Sequence, residues 1–177
     1  GAIVIEGPKW CGKSTTAKQF CNSLIELQNP DKKIQYDNIS NTKPSLFLEG
    51  DKPRLFDEWQ MYPVIWDSIR MDVDNTGLKG QYILTGSAKP VKNGVMHTGT
   101  GRITKLLMRP MSLYESGESD GKISLTDIIN GKDVSGVSSS SFDDIINAMI
   151  RGGWPDSLNI EGNNKYKVAM EYVQSLI

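Results

Sequence analysis

Two glycines, a lysine and a serine stand at fixed offsets in the polar stretch at residues 5–16, IEGPKWCGKSTT. The pattern G-x-x-x-x-G-K-[ST] is typical of a phosphate-binding loop, because its glycines let the backbone turn tightly and bring N–H groups onto phosphate oxygens. Lys13 can reach the β- and γ-phosphates, and the Ser14 hydroxyl can ligate Mg²⁺. An ordinary glycine-rich turn between a strand and a helix is the alternative. The predicted nucleotide contacts are Gly7, Pro8, Lys9, Trp10, Cys11, Gly12, Lys13, Ser14 and Thr15.

A pair of acids closes a short apolar strand at residues 54–58, RLFDE. An acid at such a strand end can hold Mg²⁺ through its hydration shell, and we predict this role for Asp57. A second carboxylate just beyond it can activate a water for attack on the γ-phosphoryl group, and we predict this role for Glu58. The alternative is a strand end whose acids are simply solvated.

Two hydroxyl residues, Thr85 and Ser87, follow the next apolar strand in the stretch ILTGS. In open parallel sheets, ligands bind beyond the carboxyl ends of the strands. We therefore predict that one of these hydroxyls senses the γ-phosphate or positions the attacking water. Turn chemistry at the end of a strand is an equally good explanation of the same residues.

Alternating apolar strands and amphipathic helices fill the first 110 residues. The predicted strands cover residues 2–5, 33–39, 54–57, 81–84 and 103–108, the predicted helices cover 14–28 and 63–74, and 90–102 is predicted to be a loop. The first helix depends on the helical spacing of Ala17, Phe20, Leu24 and Leu27. From residue 111 to 177 the pattern changes to short helices separated by Gly and Ser, including SGVSSSS. The sequence therefore predicts an α/β domain at 1–110 and a small helical portion at 111–177.

The composition limits the partners and the cellular setting. With 20 Lys and Arg against 21 Asp and Glu, the net charge is −1, and the longest basic run is Lys32–Lys33. Charge therefore suggests neither DNA nor an anionic membrane as a partner. Two cysteines without metal-ligand neighbours predict a reducing, cytoplasmic setting. No apolar run approaches the ~18 residues of a membrane helix. The only histidine, His97, is interpreted as a loop residue.

Six motifs in this order carry a family resemblance: GPKWCGKSTTA, LFDEWQ, QYILTGSA, HTGTGR, MRPMSLYESG and RGGWP. The chain resembles the prokaryotic AAA-type ATPases of the P-loop superfamily. More narrowly, it resembles a bacterial and archaeal group that carries a C-terminal domain of unknown function. The resemblance implies a P-loop NTPase αβα sandwich with a mainly parallel five-stranded sheet, bound ATP with Mg²⁺, and ATP hydrolysis.

The same resemblance implies features outside a single copy of this chain. AAA-type ATPases usually form oligomers in which a neighbour supplies an arginine to the γ-phosphate, and Arg102 in HTGTGR is the residue that matches. A surface ion pair is the alternative for Arg102. Arg151 is a weaker sensor candidate, and an arginine that complements the dipole at the end of a helix is the favoured interpretation there. The resemblance also implies that the sequence is a fragment. Residues 111–177 would be a lid-like portion that leads into a missing C-terminal domain, through which a protein or DNA partner would act.

Three hypotheses about function follow. The first is an Mg²⁺-dependent ATPase whose hydrolysis drives a conformational change in an attached or partner module. The second is a scaffold that binds ATP and turns it over slowly. The third, a small-molecule or nucleotide kinase, fits less well, because such enzymes use a lid with several arginines and the arginines here are few and scattered.

Overall fold

The computed structural model describes residues 1–87, 98–160 and 162–175, without the side chains of Ser87, Asn163 and Lys165. His97 and most of the predicted loop at 90–102 lie outside these residues. The described chain forms two compact units, Gly1–Arg109 and Pro110–Ile177. None of its helices is long and apolar enough to cross a membrane.

A five-stranded, all-parallel sheet organises the first unit, which confirms the predicted fold. Its strands are β1 (Ala2–Gly7), β2 (Ser23–Glu26), β3 (Arg54–Asp57), β4 (Tyr82–Ser87) and β5 (Ile103–Leu107). The order across the sheet is β2-β3-β4-β1-β5. All five carboxyl ends therefore meet at one edge of the sheet, and β1 lies between β4 and β5.

Helices cover both faces of this sheet. Successive side chains of a strand point to opposite faces, so the apolar strands present apolar side chains on both sides. On one face, Val4 and Phe56 pack in a cluster with Ile65 of α3 (Val64–Thr76). On the other face, Leu55 packs in a separate cluster with Ala17 of α1 (Lys13–Lys18). The unit is therefore a three-layer αβα sandwich.

The predicted helix at residues 14–28 is wrong in its second half. Helix α1 ends at Lys18, and residues Ser23–Glu26 form β2 at the edge of the sheet. The chain leaves the helix and enters a strand because Asn22 is held just before β3. Its backbone amide donates to the carbonyl of Pro53, and its side-chain amide donates to the carbonyl of Lys52. Pairing with β3 then buries Ile25, while Phe20, one of the residues whose spacing predicted the helix, is exposed. Long-range pairing outweighs local helical spacing here.

The predicted strand at residues 33–39 is also wrong, since helix α2 spans Lys33–Thr42. The side chain of Asn29 accepts a hydrogen bond from the Asp31 amide and starts the preceding 3₁₀ turn, Pro30–Lys32. Tyr36 and Ile39 then face the core three residues apart, which is helical spacing, while Ile34 is exposed.

The remaining predicted elements of this unit are confirmed with small shifts at their ends. Strand β3 has the predicted bounds, β4 begins one residue later and continues through Ser87, and β5 ends one residue earlier. Pro63 caps the amino end of α3, and Gly77 closes the helix in the left-handed conformation at φ 66°.

The second unit contains three short α-helices among its described residues: α4 (Leu125–Ile129), α5 (Phe142–Arg151) and α6 (Lys165–Gln174). Ser141 and Asp144 form a reciprocal capping box at the start of α5. The stretch at 112–118, which was predicted to be helical, forms turns. The function of this unit as a lid-like portion stays a prediction.

Candidate functional site

The loop between β1 and α1 needs glycine at both of its ends. A Cβ on Gly7 would lie 2.2 Å from the carbonyl oxygen of Met108. Gly12, immediately before α1, has φ 97°, which favours glycine. Trp10 also has a positive φ, 63°. The structure therefore forms the tight turn that the spacing of the glycines predicts.

The side chain of Lys13 folds back over this loop and is 6% exposed. Its ammonium group donates to the carbonyl oxygens of Gly7 at 3.1 Å and Pro8 at 2.8 Å. Among the described residues it has no carboxylate within ion-pair distance. A buried cation paired only with backbone carbonyls is suited to an anion that arrives at the loop. The other predicted nucleotide contacts lie in the same loop or in the first turn of α1: Pro8, Lys9, Trp10, Cys11, Ser14 and Thr15.

Asp57, at the carboxyl end of β3, joins three segments of the chain through one oxygen. Its Oδ1 accepts a hydrogen bond from Ser14 Oγ at 2.6 Å and another from Thr85 Oγ1 at 2.5 Å. Thr85 is the neighbour of Asp57 in the parallel register of β3 and β4, and its side chain is fully buried. The structure thus brings together the two predicted metal ligands, Ser14 and Asp57.

This donor set fits Mg²⁺, a hard cation that takes one or two protein oxygens and keeps several waters or phosphate oxygens as its other ligands. A carboxylate and a hydroxyl next to a phosphate loop match that preference. Within the described part of the chain, no three His, Cys, Asp or Glu side chains form a metal-binding cluster. The residues therefore suit a cation that is shared with a phosphate group rather than one enclosed by protein.

Glu58 follows Asp57 in a strained backbone conformation. Its φ of 58° and ψ of 52° lie in the left-handed region, which costs about 1–2 kcal/mol for a residue with a Cβ. Its carboxylate Oε2 accepts a hydrogen bond from Gln60 Nε2. The next residue, Trp59, is buried and packs against Trp66 with ring centroids 4.8 Å apart. Strain of this kind is common at functional sites.

The two predicted hydroxyl residues end β4 at the same edge of the sheet. Thr85 donates to Asp57, so in this structure it supports the acid. Ser87 is paired in register with Gly7 of the phosphate loop, and its side chain lies outside the described part. Which of the two senses a γ-phosphate stays a prediction.

The structure does not bring Arg102 to the phosphate loop of its own chain. Arg102 precedes β5, and its carbonyl accepts from the Ala2 amide at the amino end of the sheet. Its Nε donates to Asp74 Oδ1 at 2.6 Å. A contribution from a neighbouring subunit stays a prediction. Arg151, in the second unit, forms two hydrogen bonds of 2.7 Å with Glu118.

Two buried tyrosines of the first unit have shifted pKa values, and each donates to a carboxylate outside the phosphate loop. Burial and a hydrogen bond to Asp72 raise the pKa of Tyr82 above its ordinary value. Burial and a hydrogen bond to Asp37 raise the pKa of Tyr62 to about 12. Both phenols are therefore protonated in the folded protein at neutral pH and act as structural donors.

Sequence reasoning missed two residues next to the acid pair, Gln60 and Gly86. Gln60 donates to Glu58, and a Cβ on Gly86 would lie 2.5 Å from Gln60 Oε1. An amide two residues after the acid pair, within the otherwise apolar stretch WQM, was the available signal for Gln60. Nothing local in the sequence indicates that Gly86 lies against it.

A family model described as an AAA domain matches residues 1–117. The match contains the phosphate loop, the acid pair after β3 and the end of β4, and it continues past Arg109, the last residue of the first unit. No curated protein matches the chain.

Proposed function

The chain belongs to the AAA domain family, and from this premise we propose that it binds ATP with Mg²⁺ and hydrolyses the γ-phosphoryl bond. We further propose that hydrolysis drives a conformational change in an attached or partner module. The observation that carries the proposal is the hydrogen-bonded group at the carboxyl edge of the sheet. There, Asp57 joins Ser14 to Thr85, and Glu58 follows directly.

Binding begins at the loop between β1 and α1. The Lys13 ammonium exchanges its two carbonyl partners for β- and γ-phosphate oxygens, which are stronger, charged acceptors. The amides of the first turn of α1 have no intrahelical acceptor and donate to the same phosphates. Ser14 and Asp57 would hold Mg²⁺, which would neutralise charge on the phosphate oxygens.

Glu58 acts as the general base. Its carboxylate accepts a proton from a water while the water oxygen bonds to the γ-phosphorus, and the bond from phosphorus to the ADP oxygen breaks. The products are ADP and inorganic phosphate, and the proton leaves Glu58 for solvent. The position of Glu58, directly after Asp57 at the carboxyl edge of the sheet, supports this assignment.

The decisive experiment compares phosphate release from ATP by the wild-type protein and by Glu58→Gln, with ATP binding measured on the same samples. We expect Mg²⁺-dependent release, reduced about 10²–10⁴-fold in Glu58→Gln with ATP binding retained, because only the base is removed. Glu49→Gln is the matched control, since Glu49 is an exposed loop residue away from the carboxyl edge. Normal turnover in Glu58→Gln would show that Glu58 is not the base.

A second candidate, a nucleotide-gated scaffold with little turnover, is favoured by the position of Arg102. Its guanidinium lies at the amino end of the sheet, paired with Asp74. If a neighbouring subunit supplies it to the γ-phosphate, an isolated chain binds ATP and hydrolyses it slowly. Specific activity should then rise with protein concentration in the wild type and not in Arg102→Ala. Turnover that is independent of concentration and unchanged in Arg102→Ala would exclude this arrangement.

The finer placement of the chain is also a proposal. We assign it to the prokaryotic, cytoplasmic group that carries a C-terminal domain of unknown function, through which a protein or DNA partner acts. A contact within the second unit, between residues of two of the motifs, supports the assignment: the Met111 amide of MRPMSLYESG donates to the Gly153 carbonyl of RGGWP at 2.7 Å. A Cβ on Gly153 would lie 2.3 Å from the Met111 carbonyl oxygen, so this contact requires glycine.

A further inference from the structure

The side chain of Gln60 lies between the Glu58 carboxylate and the backbone of β4. Its Nε2 donates to Glu58 Oε2. Since an ionised carboxylate only accepts hydrogen bonds, the amide must turn its nitrogen toward Glu58 and its oxygen away. The orientation of the Gln60 amide is therefore set by the acid that it contacts.

The oxygen of the same amide is left without a donor. Gln60 Oε1 is buried and has no hydrogen-bond partner among the described residues. It lies over Gly86, where an added Cβ would be 2.5 Å from this oxygen and 3.1 Å from the indole nitrogen of Trp59. Buried polar atoms without partners are rare, so this one needs an explanation.

Two unfavourable features thus fall on residues two positions apart: the left-handed backbone of Glu58 and the unpaired oxygen of Gln60. A side chain kept for stability alone would have both ends of its amide satisfied, or would be apolar. The segment is nevertheless fixed, because Trp59 is buried against Trp66. The arrangement restricts the Glu58 carboxylate to a single orientation.

We propose that Gln60 is a positioning residue whose amide N–H holds the Glu58 carboxylate in the orientation that accepts the proton of the attacking water. This inference rests on the proposed function. Gln60 neither gains nor loses a proton in the reaction, and it acts only through Glu58. The hydrogen bond from Gln60 to Glu58 favours the reactive orientation of the carboxylate, so its loss lowers the rate of hydrolysis.

The test uses Gln60→Met, which keeps the length of the side chain and removes the donor. We expect kcat for ATP hydrolysis to fall about tenfold, as the loss of one hydrogen bond to a charged group predicts. The affinity for ATP should stay at the wild-type value, because Gln60 does not belong to the phosphate loop. The matched control is Gln19→Met, at an exposed position after α1, with wild-type kcat and affinity expected.

A double-mutant cycle separates positioning from a general structural role. In the Glu58→Gln background, Gln60→Met should cause no further loss of turnover, because the group it acts through is already gone. A structural role predicts losses that multiply in the double variant. If Gln60→Met does not fold, Gln60→Glu replaces it: the shape is kept, the donor is replaced by a like charge next to Glu58, and a larger loss is expected.

Each outcome has one meaning. Wild-type or increased kcat in Gln60→Met overturns the inference, and an increase would mean that Gln60 restrains Glu58 instead of positioning it. Losses that multiply in the double variant, or a parallel loss of ATP affinity, also overturn it. If Glu58→Gln turns over ATP normally, or the wild type does not hydrolyse ATP at all, the proposed function fails and the inference falls with it.

Discussion

Charged side chains at the two ends of the sheet have different kinds of partner. At the amino end, Arg102 and Arg70 both donate to Asp74, and the Tyr82 hydroxyl donates to Asp72. At the carboxyl end, Lys13 donates to backbone carbonyls, and Asp57 and Glu58 accept from neutral side chains. Among the described residues, these three charged groups have no partner of opposite sign within ion-pair distance, whereas Glu26 of β2 and Glu6 of β1 pair with Lys18 and Lys105.

This difference indicates which end is built for a ligand. Opposite charges at the amino end satisfy one another and contribute to stability. At the carboxyl end, a lysine lacks an anion and two acids lack a cation. A nucleoside triphosphate with Mg²⁺ would supply both: its phosphates would pair with the lysine, and the metal would pair with the acids.

After Glu58→Gln, the largest effect should come from removing the cation at the carboxyl end. Lys13→Met keeps an aliphatic chain and deletes the ammonium group, and we expect ATP turnover to fall about 10²–10³-fold, as for other donors that stabilise developing charge. Lys79→Met removes an exposed lysine near the amino end and should leave turnover unchanged. Equal effects of the two changes on phosphate release would remove the distinction between the ends.

Asp57→Asn should have the next largest effect. The amide oxygen can still accept from Ser14 and Thr85, so the loop geometry is kept while one negative charge is lost. We expect the Mg²⁺ concentration for half-maximal turnover to rise about 10–100-fold. Asp51→Asn, at an exposed position before β3, is the control. An unchanged Mg²⁺ requirement in Asp57→Asn would assign the metal to other residues.

Gly86→Ala tests how closely the carboxyl end is packed. The new Cβ would displace the Gln60 amide, so we expect kcat to fall about tenfold with ATP affinity retained. In a Gln60→Ala background, the same change should cost less, because the displaced amide is already absent and only the 3.1 Å approach to the Trp59 indole nitrogen remains. A full additional loss in that background would mean that Gly86 acts independently of Gln60.

Tyr82→Phe should leave turnover unchanged and affect only stability. Loss of the hydrogen bond to Asp72 is expected to lower the free energy of unfolding by about 1–2 kcal/mol, measured by denaturant titration. If Tyr82→Phe slowed hydrolysis without lowering stability, the amino end would not be purely structural.

The same tyrosine predicts a pH dependence. The folded protein raises the pKa of Tyr82 above the ordinary 10.0. The folded state therefore holds this proton more tightly than the unfolded state, so the stabilisation is complete below pH 10 and is lost as the pH rises above it. Tyr82→Phe should flatten the alkaline decrease in unfolding free energy. An identical alkaline decrease in both proteins would contradict this assignment.

The sequence predicted the parts of the fold that depend on local chemistry. The glycines of the phosphate loop, Pro63 before α3 and the apolar run of β3 each determine their own backbone. The predictions were wrong where the structure forms strand β2 and helix α2, because the spacing of the apolar residues there fits both a helix and a strand. The choice depends on contacts with residues far away in sequence, such as Asn22 with Lys52.

The candidate site divides in the same way. Lys13, Ser14, Asp57 and Glu58 could be predicted, because each stands in a recognisable spacing. That Thr85 donates to the Asp57 oxygen that Ser14 also contacts follows from the parallel register of β3 and β4. The contact of Gln60 with Glu58 needs a left-handed residue at position 58 and a glycine on the neighbouring strand. No local pattern specifies either.

The most direct test of the account asks whether water is the acceptor of the γ-phosphoryl group. The wild-type protein is incubated with ATP and Mg²⁺ in water enriched in heavy oxygen, and the products are weighed by mass spectrometry. Attack of a Glu58-activated water predicts inorganic phosphate that gains a single heavy oxygen and ADP that gains none. The labelled phosphate should be lost in Glu58→Gln. ADP formed without labelled phosphate, as transfer to another acceptor produces, would contradict the central claim.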